Sequence, residues 1–207
     1  VGSKGGGVTK AIEVLMQEHR LIEQVLGSLE TYTAEVERGL APERKPVADY
    51  AAFFRGFADA CHHGKEEDIL FQRMIERGMP RETGPLAVML HEHELGRRHV
   101  GALRQVGERE GPLGAVERQT LIENASSFVP LLRMHILKED RILYPMAEQI
   151  LTGPELDSMQ EAFASFEAQW RADGSYDRLQ RLAEALRTAF RPDAERMAAA
   201  ADLLPCG

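Results

Sequence analysis

The sequence predicts an all-α fold, an antiparallel up-down-up-down four-helix bundle with additional C-terminal helices. Three observations lead there. Apolar residues recur at spacings of three and four along most of the 207 residues, and β-branched alternation between turn residues is missing. Glycine followed by proline punctuates the periodic stretches at Gly39 and Pro42, Gly78 and Pro80, Gly111 and Pro112, and Gly153 and Pro154. The connections left between them are short, which makes sequential helices antiparallel neighbours.

The first helix is expected from Thr9, an N-cap, to Arg38, and the second from Pro46 to Arg77. The third starts near Pro85 and reaches Glu110. The fourth runs from Leu113 to Leu151, with bends at Pro130 and Pro145. The bundle therefore occupies residues 9–152. Beyond it, PELDSMQEAFASFEAQW and SYDRLQRLAEALRTAF, separated by Gly174, read as one or two amphipathic helices on the bundle's outside, so residues 153–207 form a helical extension and tail. The glycine-rich start, residues 1–8, reads as a disordered leader without the apolar core of a signal peptide.

Hydrophobic residues make up 43% and charged residues 28%, the balance of a folding globular chain. A net charge of −8 repels phosphate backbones, so no nucleic acid is expected as a partner. No apolar run approaches a membrane span, and Cys61 and Cys206 form no CxxC pair, so a cytoplasmic, reduced protein without membrane association is expected.

The chain repeats itself. AIEVLMQEHRLIEQVLGSL in the first helix matches GPLAVMLHEHELGRRHVGAL in the third, and the apolar offsets around His19 recur around His93. Ile12, Leu15, Met16, Ile22, Leu26 and Leu29 surround His19 on one face. HHGKEEDILF in the second helix matches HILKEDRILYP in the fourth, pairing His62 with His135 and Glu66 with Glu139. Phe128, Leu131, Leu132, Ile142, Met146 and Ile150 place His135 at the centre of an apolar stripe. Glu139 falls ~40° from His135 on that face and Asp140 ~140° away. His63 lies ~100° round from His62 and pairs with Glu67, so the second helix takes its register from the match to the fourth. His63, Lys65 and Glu67 are thereby assigned to the surroundings of the site or to solvent.

Two copies of one unit, a helix with a central histidine followed by a helix with His-x-x-x-Glu, bring together His19, His62, Glu66, His93, His135 and Glu139. Six polar groups buried without partners would cost several kcal/mol per ionised group. A cation repays that cost by coordinating them. The outline is a dinuclear site, two histidines per metal with carboxylates able to bridge. Imidazole and carboxylate suit iron, zinc, manganese or copper, and the scarcity of thiolates argues against a closed structural zinc site.

EHR, HHGKEEDILF, EHELGRRH and HILKEDRILYP together resemble the hemerythrin-like, or HHE cation-binding, domain family over roughly residues 10–150. The resemblance implies a four-helix bundle around two non-haem iron ions, oxo- or hydroxo-bridged, with zinc or manganese as substitutes. It implies the six residues above as metal ligands, and dioxygen, peroxide or nitric oxide as the small-molecule partner. Oxygen-carrying members have His-x-x-x-His in the third helix, but Arg97 stands at that second position here. They also use an aspartate five residues after the fourth-helix histidine, the spacing of Asp140. His91 and His99 are candidate replacement ligands, although they lie ~160° and ~120° from His93.

The expected function is binding, sensing or reacting with a small oxidant. A metal-dependent interaction or sensor module, and a role in iron storage or homeostasis, are the alternatives. Peroxidase-like or nitric oxide-related turnover is left open, as is a homodimer.

Overall fold

The glycines predicted to end the first two helices do so by one device. Gly39 and Gly78 adopt left-handed φ values of 76° and 94°. Leu40 N–H then reaches Glu35 O, and Met79 N–H reaches Met74 O, closing each last turn with the bonds of a Schellman motif.

The structure is a computed structural model describing residues 8–40 and 43–201, side chains 198–201 excepted. The expected leader lies outside the described residues except for Val8, as does Cys206. All regular structure among the described residues is helical, in seven helices. Helix α1 is Lys10–Glu37. Helix α2 begins as Lys45–Phe53, turns π-helical over Phe54–His63 and again over Glu66–Leu70, and finishes as Phe71–Glu76. Helix α3 is Gly84–Gly107. Helix α4 comprises Ala115–Lys138, a π-helical Glu139–Leu143, and Tyr144–Ile150. Then come α5 (Gly153–Ala172), α6 (Ser175–Ala189) and α7 (Ala194–Ala201). None of these helices is long and apolar enough to cross a membrane.

Helix α4 packs on α1 and α3, and α2 packs on α3, making a helical bundle. Its ends are tied by polar contacts. Thr9 N–H donates to Glu148 at 2.6 Å, joining the start of α1 to the end of α4. Arg44, just before α2, donates to the carbonyls of Gly111 and Pro112 and to Glu117 at the start of α4. Pro130, where a bend is expected, sits inside a continuous α-helical stretch. The irregularity lies instead at Glu139–Leu143, just before Pro145, whose missing N–H and ring disfavour a regular α turn.

The π turn has a consequence for the core. A π turn carries one more residue than an α turn, so every later side chain is shifted by one position. Leu143, Ala147 and Leu151 are buried, whereas the predicted Ile142 is 50% exposed, Met146 is half-buried and Ile150 packs only partly buried against the core.

The apolar core is in two parts. One gathers Ile22, Leu26, Phe54, Phe57, Leu103 and Phe128. The other gathers Ile12, Leu15, Phe71, Met89, Leu143 and Tyr144. On each of the first four helices the candidate histidine falls between residues of the two parts. Helices α5 and α6 lie against α1 and α2, with Phe163 joining the second core and Leu179 the first. Glycine permits this approach: a Cβ on Gly64 would meet the Phe166 ring at 2.7 Å.

Candidate metal centre

All six sequence-predicted residues converge between the two cores. His19, His62, His93 and His135 are at most 1% exposed, and Glu66 and Glu139 are fully buried. They sort into two donor groups, each with ligand atoms within 4.8 Å of one another: His19, His62, Glu66 and Glu139 in one, and His63, Glu66, His93 and His135 in the other. Glu66 belongs to both. Glu139 also faces both ways, with Oε2 at 3.3 Å from His19 Nε2 and Oε1 at 3.2 Å from His135 Nε2.

These spacings test the fit to a cation. Ligand atoms about 2.1 Å from one ion, at right angles, lie about 3 Å apart. His93 Nε2 and His135 Nε2 are 3.0 Å apart. His62 Nε2, Glu66 Oε2 and both Glu139 carboxylate oxygens are buried without a hydrogen-bond partner among the described residues. Such atoms are costly to leave unpaired, and a cation among them would satisfy all four. The residues present therefore fit a metal of the imidazole and carboxylate class.

The second ring nitrogens show how the histidines are held. His19 Nδ1 lies 2.7 Å from Asp140, His62 Nδ1 2.9 Å from Glu18, His93 Nδ1 2.6 Å from Glu67 and His135 Nδ1 2.9 Å from Glu92. Each histidine thus reaches a carboxylate on the neighbouring helix, from α1 to α4, α4 to α3, α3 to α2 and α2 to α1, closing a ring around the bundle. An Nδ1–H donated outward fixes the tautomer that turns the Nε2 lone pair inward. Every one of the four carboxylates also meets a cation from the histidine's own helix: Arg20 on Asp140, Lys65 on Glu18, Arg97 on Glu67 and Lys138 on Glu92. The outer charges are balanced, leaving Glu66 and Glu139 as the carboxylates that face the centre.

Protons distribute accordingly. Burial and the neighbouring Glu139 charge push Glu66 well above the usual carboxylate range. Burial opposes ionisation of Glu139, but His135 and His19 beside it hold it well below that range. Burial and the charges of His19 and His63 hold His62 well below an ordinary histidine. Burial would lower His135, yet Glu139 and Glu92 raise it to about 9. A neutral imidazole is the ligand form, so a cation here competes with protons.

The family model for the hemerythrin HHE cation-binding domain matches residues 10–147.

The chain belongs to that family.

Among curated relatives, the iron-sulfur cluster repair protein YtfE of Yersinia pestis is 32% identical over 137 residues, 65% of this chain and 55% of its own length. Uncharacterized protein Rv1995 of Mycobacterium tuberculosis is 22% identical over 156 residues, 74% of this chain and 59% of its own length. The chain thus spans between half and three-fifths of these relatives. No solved structure matches it.

Within this HHE domain several residues stand elsewhere than the sequence suggested. Lys65, assigned to the surroundings of the site or to solvent, is fully buried between Glu18, the partner of His62, and Glu167 of α5. The solvent alternative fails because the extension covers that side of α2. His63 is also buried, since the π turns bring it inward beside His62. Glu67 and Asp140 orient histidines rather than entering either donor group. His91 is exposed and His99 pairs with Asn124, so neither joins the site. Tyr144 OH donates to Glu66 at 2.7 Å and lies 3.3 Å from His19 Nε2, whereas Tyr50 bonds Ser28 within the first core. Lys65 and Lys138 were findable: both occupy the fourth place of the repeated HHGK and HILK.

Proposed function

We propose that this chain is a non-haem di-iron protein, an up-down-up-down four-helix bundle that binds, senses or reacts with dioxygen or a related small oxidant such as peroxide or nitric oxide. The observation that carries this is the pair of donor groups sharing Glu66, with four inward atoms that lack a hydrogen-bond partner among the described residues. His19 and His62 would hold one ion, His93 and His135 the other, and Glu66 and Glu139 would span both. Iron with open coordination positions exchanges electrons with small oxidants.

The chain's own residues supply the rest. The two apolar cores exclude bulk water from both sides. Tyr144 holds a proton at Glu66 Oε1, within reach of anything bound on the His19 side. A cavity of about 280 Å³, lined by His63, His93, Gly96, Arg97 and Phe128, reaches the other side.

Anaerobic loading with Fe(II) tests this reading. Two irons per chain, and absorption that changes distinctly with oxygen, peroxide or nitric oxide, are expected. Less than one iron per chain, or full stoichiometry in a His62→Ala/His135→Ala variant, would refute it.

A second reading draws on the similarity to YtfE, a protein named for iron-sulfur cluster repair. It predicts that the iron-loaded chain restores an oxidatively damaged iron-sulfur enzyme, and that the His62→Ala/His135→Ala variant does not.

A further inference from the structure

We infer that a cavity between the bundle and the C-terminal extension binds a small organic anion, its carboxylate or phosphate group held by Arg55, Arg104 and Arg178 beside Trp170. The cavity shares no residue with either donor group of the metal centre, so the inference does not rest on the di-metal reading.

The cavity holds about 580 Å³. Its space follows from the sequence of α2, where Ala48, Ala52, Gly56 and Ala60 recur every four residues. All four line the cavity, and none has a side chain long enough to fill it. Gly56 also sets how closely the extension approaches, since a Cβ there would meet Leu179 of α6 at 2.9 Å. Arg104 comes from α3, Trp170 from α5, and Ser175 and Arg178 from α6. The last three lie beyond residues 10–147, so the cavity belongs to the extension as much as to the HHE domain.

Charge selects the ligand. The chain carries a net charge of −8, yet the lining sets three arginines against one carboxylate, Glu108. Asp59, one turn on from Arg55, is taken by Arg97, and Arg55 is exposed with neither a hydrogen bond nor an ion pair among the described residues. Arg178 donates from Nη2 to Ser175 Oγ at 2.8 Å, a neutral acceptor. Arg104 meets Glu108 at 3.0 Å, but the two side chains are 43% and 58% exposed, a setting in which an ion pair contributes little. None of the three guanidinium groups is held by a buried carboxylate. Like charges gathered from three helices repel, and an anion between them offsets that repulsion.

Trp170 adds a neutral donor, because its Nε1–H is buried without an acceptor among the described residues. Guanidinium forks match the paired oxygens of a carboxylate or a phosphate. The indole and the alanines face the remainder of the ligand with apolar surface, which suits an organic body.

Trp170 is the chain's only tryptophan, so its fluorescence reports on this cavity. Titration with succinate and with phenyl phosphate should give a saturable change with one or both, and calorimetry should give the same midpoint. Saturation by succinate alone assigns a carboxylate ligand, and by phenyl phosphate alone a phosphate ester. Arg178→Gln should weaken binding by at least about tenfold, through loss of one charged donor. Arg55 and Arg104 also line the cavity beside His63 and His93, but Ala52 does not. Ala52→Leu fills the new cavity without altering its charge and should abolish binding. Arg178 and Ala52 are both exposed, and melting curves would verify that the variants fold. No saturation by about 10 mM of either probe in both assays would overturn the site. So would an equal response to sodium chloride, or unchanged affinity in folded Ala52→Leu.

Discussion

Replacing Lys65 by methionine separates the buried brace from its exposed counterparts. The Lys65 ammonium contacts Glu18 on α1 and Glu167 on α5, and all three side chains are at most 7% exposed. Removing one partner of a buried ion pair typically costs about 3–5 kcal/mol, because the remaining charge is stranded. Two carboxylates are stranded here, although Glu167 keeps Arg171 at 2.7 Å, so the same range applies to the pair. For a chain of this size about 1 kcal/mol shifts the melting temperature by about 2–4 °C, giving a fall of about 6–20 °C. Lys138 occupies the repeat-related place, but it is 27% exposed and meets Glu92 alone. Lys138→Met should therefore cost no more than about 1 kcal/mol. Calorimetry and urea unfolding, with and without bound metal, would measure both variants. The reasoning fails if Lys65→Met loses less than about 1 kcal/mol, or no more than Lys138→Met. Glu18 also orients His62, so Lys65→Met should weaken metal binding by about 10–100-fold, as loss of an outer partner does elsewhere.

Two further tests probe the frame around the site. A Cβ on Gly107 would meet Ala48 Cα and N at 2.6 Å, so Gly107→Ala should destabilise by about 1–3 kcal/mol. On the same helix Gly101 has nothing within 4 Å, and Gly101→Ala should instead stabilise by about 0.5–1 kcal/mol in the same melting assay. Glu117 is held down to about 2 by the Arg44 guanidinium and the Gly114 N–H. Its folded value is depressed, so its stabilisation is present above the ordinary value of 4.5 and is lost as pH falls from there through about 2. Urea unfolding should accordingly show the gap between wild type and Glu117→Gln narrowing between pH 4.5 and 2, and an unchanging gap would refute the pairing.

The convergence of six residues was legible because it depends on a repeat, and a repeat survives ignorance of backbone detail. His19 and His93 lie in regular α-helix, where a 100° step finds the face correctly. The step fails after Glu139: the stripe read as Ile142, Met146 and Ile150 is in fact Leu143, Ala147 and Leu151, one residue on. The same widening hid His63. Lys65 was hidden for another reason, since a lysine among three acids reads as solvated until the helix that covers it is known. Gly64 was the clue: it is the place where Phe166 of α5 comes within contact of the α2 backbone.

The Lys65 brace also distinguishes the halves of the repeat. Arg20, Arg97 and Lys138, bracing the other carboxylates, are 52%, 32% and 27% exposed, so their outer ends finish in solvent. The Lys65 brace finishes in α5, through Glu167 and then Arg171, whose guanidinium lies 4.0 Å from the Tyr176 ring of α6. A chain of charged contacts thus runs from His62 through Glu18, Lys65 and Glu167 to the extension, and among the described residues no equivalent runs from His135. Any change in the charge His62 carries alters the pull of Glu18 on Lys65, and with it the hold of Lys65 on Glu167. In a bundle otherwise built as two similar halves, the extension is electrostatically joined to one donor group, that of His19 and His62.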